Sequence, residues 1–159
     1  MRFFFIAIPI ILFSNPASSQ NLEIIKFEQL NQLIQERNKE IRIFNFWATW
    51  CKPCIQELPQ FESISKLYPE GEVKVYLISL DFIDQLETKL KPFIKKKQLQ
   101  SQVKLLDETD FNSFIDKIDP RWSGAIPATL IITPGGTKEF YEKEFMEGEL
   151  EKVVANLMN

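Results

Sequence analysis

The sequence predicts an α/β fold in which a central mixed sheet is flanked by helices, and three observations support this. Two runs rich in β-branched and aromatic residues, 41–47 and 73–80, bracket a segment with helical periodicity, which is typical of a crossover unit with parallel strands. The turn at residues 134–136 separates two later strand-like runs and predicts an antiparallel hairpin. Apolar residues make up 45% of the 159 residues, which is enough for one buried core.

The first half of the chain supplies the crossover unit. Within residues 26–38, Phe27, Leu30 and Ile34 share one helical face, so we predict a helix before the first buried strand. From Cys51 to Tyr68 apolar residues recur at every third or fourth position, which predicts a helix with a kink at Pro59. The second buried strand then follows at residues 73–80.

The second half adds an insertion, the hairpin and a closing helix. Helical spacing of apolar residues predicts helices over residues 82–97 and 111–118, with a short strand at 103–106 between them. The hairpin strands are expected at residues 128–133 and 137–145, and residues 150–157 place their apolar side chains on one face of a last helix. The lysines at 95–97 then fall at a helix C-terminus, where positive charge favours the helix dipole.

The start of the chain has the layout of a secretory signal peptide. Arg2 is followed by an apolar run at residues 3–13 and then by a polar stretch with the small residues Ala17 and Ser19. We therefore expect a signal peptide at residues 1–19 and one domain at residues 20–159. An uncleaved N-terminal anchor and a buried strand are the alternatives. An exported chain works in an oxidising compartment, where neighbouring cysteines readily form a disulfide.

Composition excludes several classes of function. The chain contains no histidine, which rules out Ser-His-Asp and Cys-His hydrolases and His-ligated metal sites. Its formal net charge of −3 gives no electrostatic footprint for nucleic acid. We therefore expect no nucleic-acid partner, no metal and no cofactor.

The two cysteines, Cys51 and Cys54, carry the chemistry that remains. They follow a buried strand directly and open a helix, so the Cys51 sulfur is expected at the positive end of the helix dipole, which stabilises a thiolate. A thiolate attacks disulfides, and a second thiol one turn later can release the mixed disulfide. The alternatives are an inert structural disulfide and half of a zinc site, which would need two more ligands.

The residues around this pair resemble a known family. The stretch N-F-W-A-T-W-C-K-P-C-I-Q-E-L-P at residues 45–59, with G-A-I-P-A-T-L at 124–130, is similar to the TlpA/ResA-type thiol-disulfide oxidoreductases of the thioredoxin superfamily. The resemblance covers about residues 24–158 and implies a thioredoxin-like fold. Residues 81–127 exceed what a minimal thioredoxin places there, and similar insertions mark the TlpA/ResA and peroxiredoxin branches.

The resemblance also implies roles for individual residues. Cys51 would be the attacking thiol and Cys54 the buried resolving thiol. Pro127 would be a cis-proline facing the dithiol, and the Ile126 backbone would pair with a bound client peptide. An ordinary trans proline is the alternative. Trp50 would cover the thiol or contact partners.

Four further residues near the motif bear on its chemistry. Lys52 departs from family members that carry an acidic residue between the cysteines, and unless solvent screens it a cation there lowers the Cys51 pKa. Asn45 stands where cytosolic thioredoxins have a buried aspartate that assists Cys54. Glu57 could replace that aspartate as proton acceptor, or it could be an ordinary surface glutamate. Asp81 is a weaker candidate for the same work, and we expect it to be a helix N-cap.

These inferences predict an exported, monomeric protein-disulfide reductase. Its clients would be disulfide-containing proteins such as apocytochromes c, and a membrane thiol-reductase would be its electron donor. A disulfide oxidase or isomerase remains an alternative because no residue fixes the direction of electron flow. The others are a peroxiredoxin-like antioxidant, a non-catalytic thioredoxin-like binding module and a domain with an inert disulfide.

Overall fold

The computed structural model describes residues 22–69 and 71–158, so the expected signal peptide lies outside the described residues. The strands are β1 (Leu22–Ile25), β2 (Ile41–Trp47), β3 (Val73–Ser79), β4 (Gln102–Leu106), β5 (Ala128–Ile132) and β6 (Lys138–Tyr141). The helices are α1 (Phe27–Gln35), α2 (Lys52–Leu67), α3 (Lys91–Lys97), α4 (Ile115–Ile118) and α5 (Glu149–Leu157). No helix formed by the described residues is long and apolar enough to cross a membrane.

The strands form one mixed sheet in the order β1-β4-β3-β2-β5-β6, which confirms the predicted architecture. β2 lies parallel to β3 on one side and antiparallel to β5 on the other. The carboxyl ends of β2 and β3 and the amino end of β5 therefore meet at one edge of the sheet. Cys51 follows β2 at this edge, so the loops after β3 and before β5 lie on either side of it.

The core has two layers because successive side chains of a strand point to opposite faces. Ile43 and Trp47 of β2 pack against α2, α3 and α5, whereas Phe44 and Phe46 pack on the face that α1 and α4 cover. All four side chains are fully buried. This burial on both faces explains why all residues of β2 are apolar apart from Arg42 and Asn45.

The predicted helix over residues 82–97 is only partly α-helical. A 3-10 turn at Ile83–Gln85 and a π-helical turn at Leu86–Leu90 precede α3, which begins one residue before Pro92. Proline is tolerated in a first helical turn because its missing N–H has no partner there. The predicted helix over residues 111–118 is likewise a 3-10 turn followed by the short α4.

The two edge strands of the sheet, β1 and β6, differ from the sequence-based expectation. β6 ends at Tyr141 instead of continuing to residue 145, because the chain leaves the sheet and the Phe145 backbone N–H bonds to α2. β1 was not expected at all. Only Ile25 of its four residues is buried, so it carries no alternating pattern, and its pairing with β4 forms across about 80 residues of chain.

Candidate active site

The cysteine pair lies at the start of α2, immediately after β2. Cys51 has extended backbone geometry and acts as the N-cap of the helix, with its Sγ accepting a hydrogen bond from the Cys54 backbone N–H at 3.3 Å. Pro53 fits within the first turn, where no N–H is needed. The local sequence therefore brings the Cys51 sulfur to the positive end of the helix, as expected.

The two sulfurs are bonded to one another and differ in their access to solvent. The S–S distance is 2.06 Å and the Cα atoms lie 5.3 Å apart. Cys51 is 6% exposed and Cys54 is 0% exposed. A partner thiol or disulfide therefore reaches Cys51 more easily than Cys54.

The loop before β5 faces the pair. The Ile126–Pro127 peptide bond is cis, as the resemblance implies, and the Ile126 carbonyl oxygen lies 3.7 Å from Cys51 Sγ. Gly124 has φ +93°, a backbone conformation that L side chains rarely adopt, so this position favours glycine. These features fix the Ile126 backbone beside the accessible sulfur.

Glu57 is buried one helical turn after Cys54, so the alternative of a surface glutamate is wrong. Its carboxylate accepts hydrogen bonds from Asn45 Nδ2 at 2.8 Å and from the Phe145 backbone N–H at 2.8 Å. Both bonds favour the ionised form, but burial outweighs them and raises the pKa of Glu57 to about 7. A carboxyl group with this pKa can exchange a proton near neutral pH.

Asn45 of β2 links Glu57 of α2 to Thr129 of the neighbouring strand β5. Its Nδ2 also donates to Thr129 Oγ1 at 3.2 Å, while its Oδ1 is buried and lacks a hydrogen-bond partner. Asn45 has no ionisable group. Of the three side chains Asn45, Glu57 and Thr129, only Glu57 therefore has a group that titrates near neutral pH.

Asp81 is not a helix N-cap, so that expectation was wrong. Its buried carboxylate accepts from the Thr49 backbone N–H at 3.1 Å, from Thr49 Oγ1 at 2.5 Å and from Ser79 Oγ at 2.7 Å. The turn after Asp81 begins at Phe82, whose side chain caps nothing. Asp81 instead ties the end of β3 to the turn that leads into Cys51, and sequence analysis missed this role.

The aromatic and cationic residues near the cysteine pair differ in their exposure to solvent. Trp47 is fully buried, whereas Trp50 is 59% exposed next to Cys51. Lys52, the first residue of α2, is exposed. Trp50 is thus free to touch a partner that approaches Cys51.

Comparisons with known proteins agree with this geometry. The model of the AhpC/TSA family matches residues 13–138. The thiol-disulfide oxidoreductase ResA of Bacillus cereus (strain ZK / E33L) is 36% identical over 116 residues, covering 69% of this chain and 61% of the relative. The sporulation thiol-disulfide oxidoreductase A of Bacillus subtilis (strain 168) is 39% identical over 57 residues, or 36% of this chain and 34% of the relative. The resemblance to ResA-type proteins is confirmed, and the chain spans about three fifths of the length of that ResA.

Solved structures share the fold. A thioredoxin-related protein from Neisseria meningitidis serogroup B superposes with a TM-score of 0.65 at 25% identity, covering 79% of this chain and 89% of the other. StoA from Bacillus subtilis gives a TM-score of 0.53 at 24% identity, covering 72% and 82%. The thioredoxin-like fold predicted from the motif is thereby confirmed.

Proposed function

The chain belongs to the AhpC/TSA family, and from this membership we propose that it is an exported thiol-disulfide oxidoreductase that reduces disulfides in client proteins. The observation that carries the proposal is the Cys51–Cys54 bond at the start of α2, in which Cys51 is 6% exposed and Cys54 is fully buried. The names of the ResA and sporulation relatives support the same activity.

Reduction proceeds by two exchanges. The Cys51 thiolate attacks one sulfur of a client disulfide, forms a mixed disulfide and expels the other client sulfur as a thiolate. Cys54 then attacks the Cys51 sulfur, forms the intramolecular bond and expels the second client thiolate. Two electrons pass from the dithiol to the client, and the protein is left oxidised. A thiol-reductase in the membrane returns two electrons and restores the dithiol.

The surrounding groups support each step. The helix N-terminus stabilises the Cys51 thiolate, and the Ile126 backbone beside cis-Pro127 pairs with the client chain as an added strand. Trp50 contacts the client next to the attacked sulfur. Glu57 accepts the proton of the Cys54 thiol, since its pKa of about 7 leaves a large fraction ionised at neutral pH.

The proposed setting is extracytoplasmic, where the chain acts as a soluble monomer after cleavage behind Ser19. The charged start, apolar run and small residues of the first 19 positions support export. Apocytochromes c before haem attachment are the proposed clients. N-terminal sequencing of the exported protein should find its first residue near Gln20. An intact Met1 in the membrane fraction would show instead that the segment stays attached as an anchor.

The redox state of the pair in living cells tests the direction of electron flow. Cells are quenched in acid, free thiols are alkylated, and the Cys51–Cys54 state is scored by the mobility of the protein, with a Cys51→Ser/Cys54→Ser variant as the unmodified control. A mostly reduced pair supports a reductase, and a mostly oxidised pair would point to an oxidase instead. A separate assay with peroxide tests the peroxiredoxin-like alternative, which turnover of peroxide by the reduced protein would favour.

A further inference from the structure

Arg42 is a buried cation at the edge of the sheet opposite to the cysteine pair. It is the second residue of β2 and only 3% exposed, and its side chain lies on the sheet face that α1 covers. Its Nη1 donates a hydrogen bond to the Leu33 carbonyl oxygen in α1. Its Nε is buried and has no hydrogen-bond acceptor among the described residues. A buried, charged donor without an acceptor is unfavourable, so binding of a ligand that supplies one is favoured.

Arg42 lines a small cavity in which positive charge prevails. The cavity of about 280 Å³ lies between the loop after α1 and the turn that joins β5 to β6. Arg37 of that loop, Lys138 of β6 and Glu36 line it as well. Three positive charges less one negative charge leave these side chains with a net charge of +2. Within the part of the chain that the structure describes, no carboxylate oxygen lies within 4.0 Å of a side-chain nitrogen of Arg37, Arg42 or Lys138.

The strand register brings two of these cations together from distant parts of the chain. Ile132 of β5 pairs with Arg42 on one side and with Lys138 on the other, so the three residues lie in a row across the sheet. Two strand spacings, or about 10 Å, separate the backbones of Arg42 and Lys138. The long side chains of arginine and lysine can span this gap toward a shared ligand.

Capping of α1 by Arg42 explains only part of this arrangement. A cation near a helix C-terminus interacts favourably with the last carbonyl groups, and the bond to Leu33 is of this kind. Capping leaves Nε without an acceptor, and it does not require Arg37 or Lys138 at the same cavity. Glu40, two residues before Arg42, accepts a hydrogen bond from Asn38 Nδ2 at 3.0 Å and forms no ion pair with Arg42.

We propose that this cavity binds a phosphate group, either as inorganic phosphate or as the terminal group of a small phosphate ester. A phosphate group carries about −1.5 to −2 charges near pH 7 and has three acceptor oxygens, which matches the charge of the lining and the unpaired Arg42 donor. Cavities for drug-sized ligands measure about 300 to 1,000 Å³, so this one suits a smaller group. The site lies at the opposite end of β2 from Cys51 and does not depend on the proposed disulfide exchange.

Equilibrium dialysis of the oxidised protein with inorganic phosphate tests the proposal, at an ionic strength held constant with sodium chloride. We expect saturable binding of one phosphate per chain. Arg37→Gln/Lys138→Gln should weaken binding about tenfold, because it removes two exposed cations from the cavity and leaves the buried Arg42 in place. Lys89→Gln/Lys96→Gln is the matched control. It removes two exposed lysines from the other side of the molecule, around α3, and should keep the wild-type affinity.

Arg42→Lys tests the guanidinium group itself. Lysine keeps the positive charge but lacks Nε and the paired donors with which arginine binds phosphate, so the affinity should fall about tenfold. Circular dichroism checks that this variant is folded, and the Arg37→Gln/Lys138→Gln variant decides the question if it is not. Wild-type affinity in a folded Arg42→Lys variant would overturn the role of Nε.

Competing ligands identify the occupant. Competition by glycerol 3-phosphate would support a phosphate ester as ligand, and its failure to compete would support the free ion. Displacement of phosphate by acetate at equal concentration would overturn the choice of phosphate and make a carboxylate the occupant. Absence of saturable binding, or equal affinities of the wild-type protein and Arg37→Gln/Lys138→Gln, would overturn the site and leave Arg42 as a cap of α1.

Discussion

The Glu57 carboxylate accepts a hydrogen bond from the Phe145 backbone N–H at 2.8 Å, which joins the helix that carries both cysteines to the segment after β6. The Phe145 ring also packs against Phe61 of α2, with ring centroids 6.3 Å apart. Glu57 is therefore enclosed by a part of the chain far from the cysteine motif. This enclosure is what raises its pKa to about 7.

The oxidised protein should lose stability as the pH rises from about 4.5 to about 7 through the burial of Glu57. Its pKa is about 7 in the folded protein, against an ordinary value of 4.5, so over this range the unfolded chain has released a proton that the folded protein keeps. The contribution of Glu57 to the free energy of unfolding should fall by on the order of 3 kcal/mol over this pH range and level off above it. Urea denaturation of the disulfide form at several pH values measures it.

Glu57→Gln should remove this part of the pH dependence, because glutamine does not titrate. Glu62→Gln is the matched control, since Glu62 is a buried glutamate of the same helix that bonds to the Gln100 and Ser101 N–H groups instead. The Glu62→Gln variant should still lose stability as the pH rises, because Glu57 is unchanged in it. An unchanged slope in Glu57→Gln would show that Glu57 is already ionised in the folded protein at low pH.

Release of the client should depend on the same titration. The rate at which Cys54 resolves a preformed mixed disulfide should rise with pH through about 7 as Glu57 becomes ionised. Glu57→Gln should slow this step about a hundredfold while Cys51 attacks at its normal rate. Acid quenching and alkylation during a single turnover separate the two steps. Equal slowing of both steps would assign Glu57 a structural role only.

Much of this fold follows from local patterns in the sequence. β2 was predicted with its observed limits because the run at residues 41–47 is buried on both faces, and α2 was predicted because its apolar side chains recur with the helical period. The stretch G-A-I-P-A-T-L at residues 124–130, read through the family resemblance, supplied the positions of Ile126 and Pro127. These features depend on residues that are neighbours along the chain.

The features that the sequence did not predict or left open depend on partners far apart in the chain. β1 exists because it pairs with β4, and neither the burial of Glu57 nor its bond to Phe145 leaves a periodic signal. Asp81 was placed at a helix N-cap because an acidic residue at a strand end often lies there. The Asp81 carboxylate accepts hydrogen bonds from Thr49, which follows β2, and from Ser79, which ends β3. Only the parallel register of β2 and β3 brings them together.

Asp81→Ala should lower the free energy of unfolding by about 2 to 3 kcal/mol. The substitution leaves the Thr49 N–H and two hydroxyl groups without their buried acceptor, which costs more than the loss of an exposed hydrogen bond. Asp84→Ala, three residues later and exposed, should change stability by less than about 0.5 kcal/mol. Urea denaturation of both variants decides this, and equal effects would mean that the Asp81 bonds contribute nothing.

Lys52→Glu should raise the pKa of the Cys51 thiol by about one unit and lower the reduction potential of the pair by about 30 mV. A carboxylate beside the thiolate replaces attraction with repulsion, which disfavours the ionised thiol and hence the reduced form. Thiolate absorbance against pH and equilibration with glutathione measure the two quantities. Lys66→Glu, in the last turn of the same helix, should change neither. An unchanged titration in Lys52→Glu would show that solvent screens this position.

The two single cysteine variants should differ in what they capture. In the proposed cycle Cys51 attacks and Cys54 resolves, so Cys54→Ser should preserve attack, block release and accumulate covalent adducts with clients. Cys51→Ser should capture none, because Cys54 is 0% exposed and lies inside the helix beyond the N-cap position. Non-reducing gels of cells that express each variant show the adducts, and reductant should abolish them. Adducts with Cys51→Ser alone would reverse the two roles, and adducts with neither variant would favour a binding module or an inert disulfide.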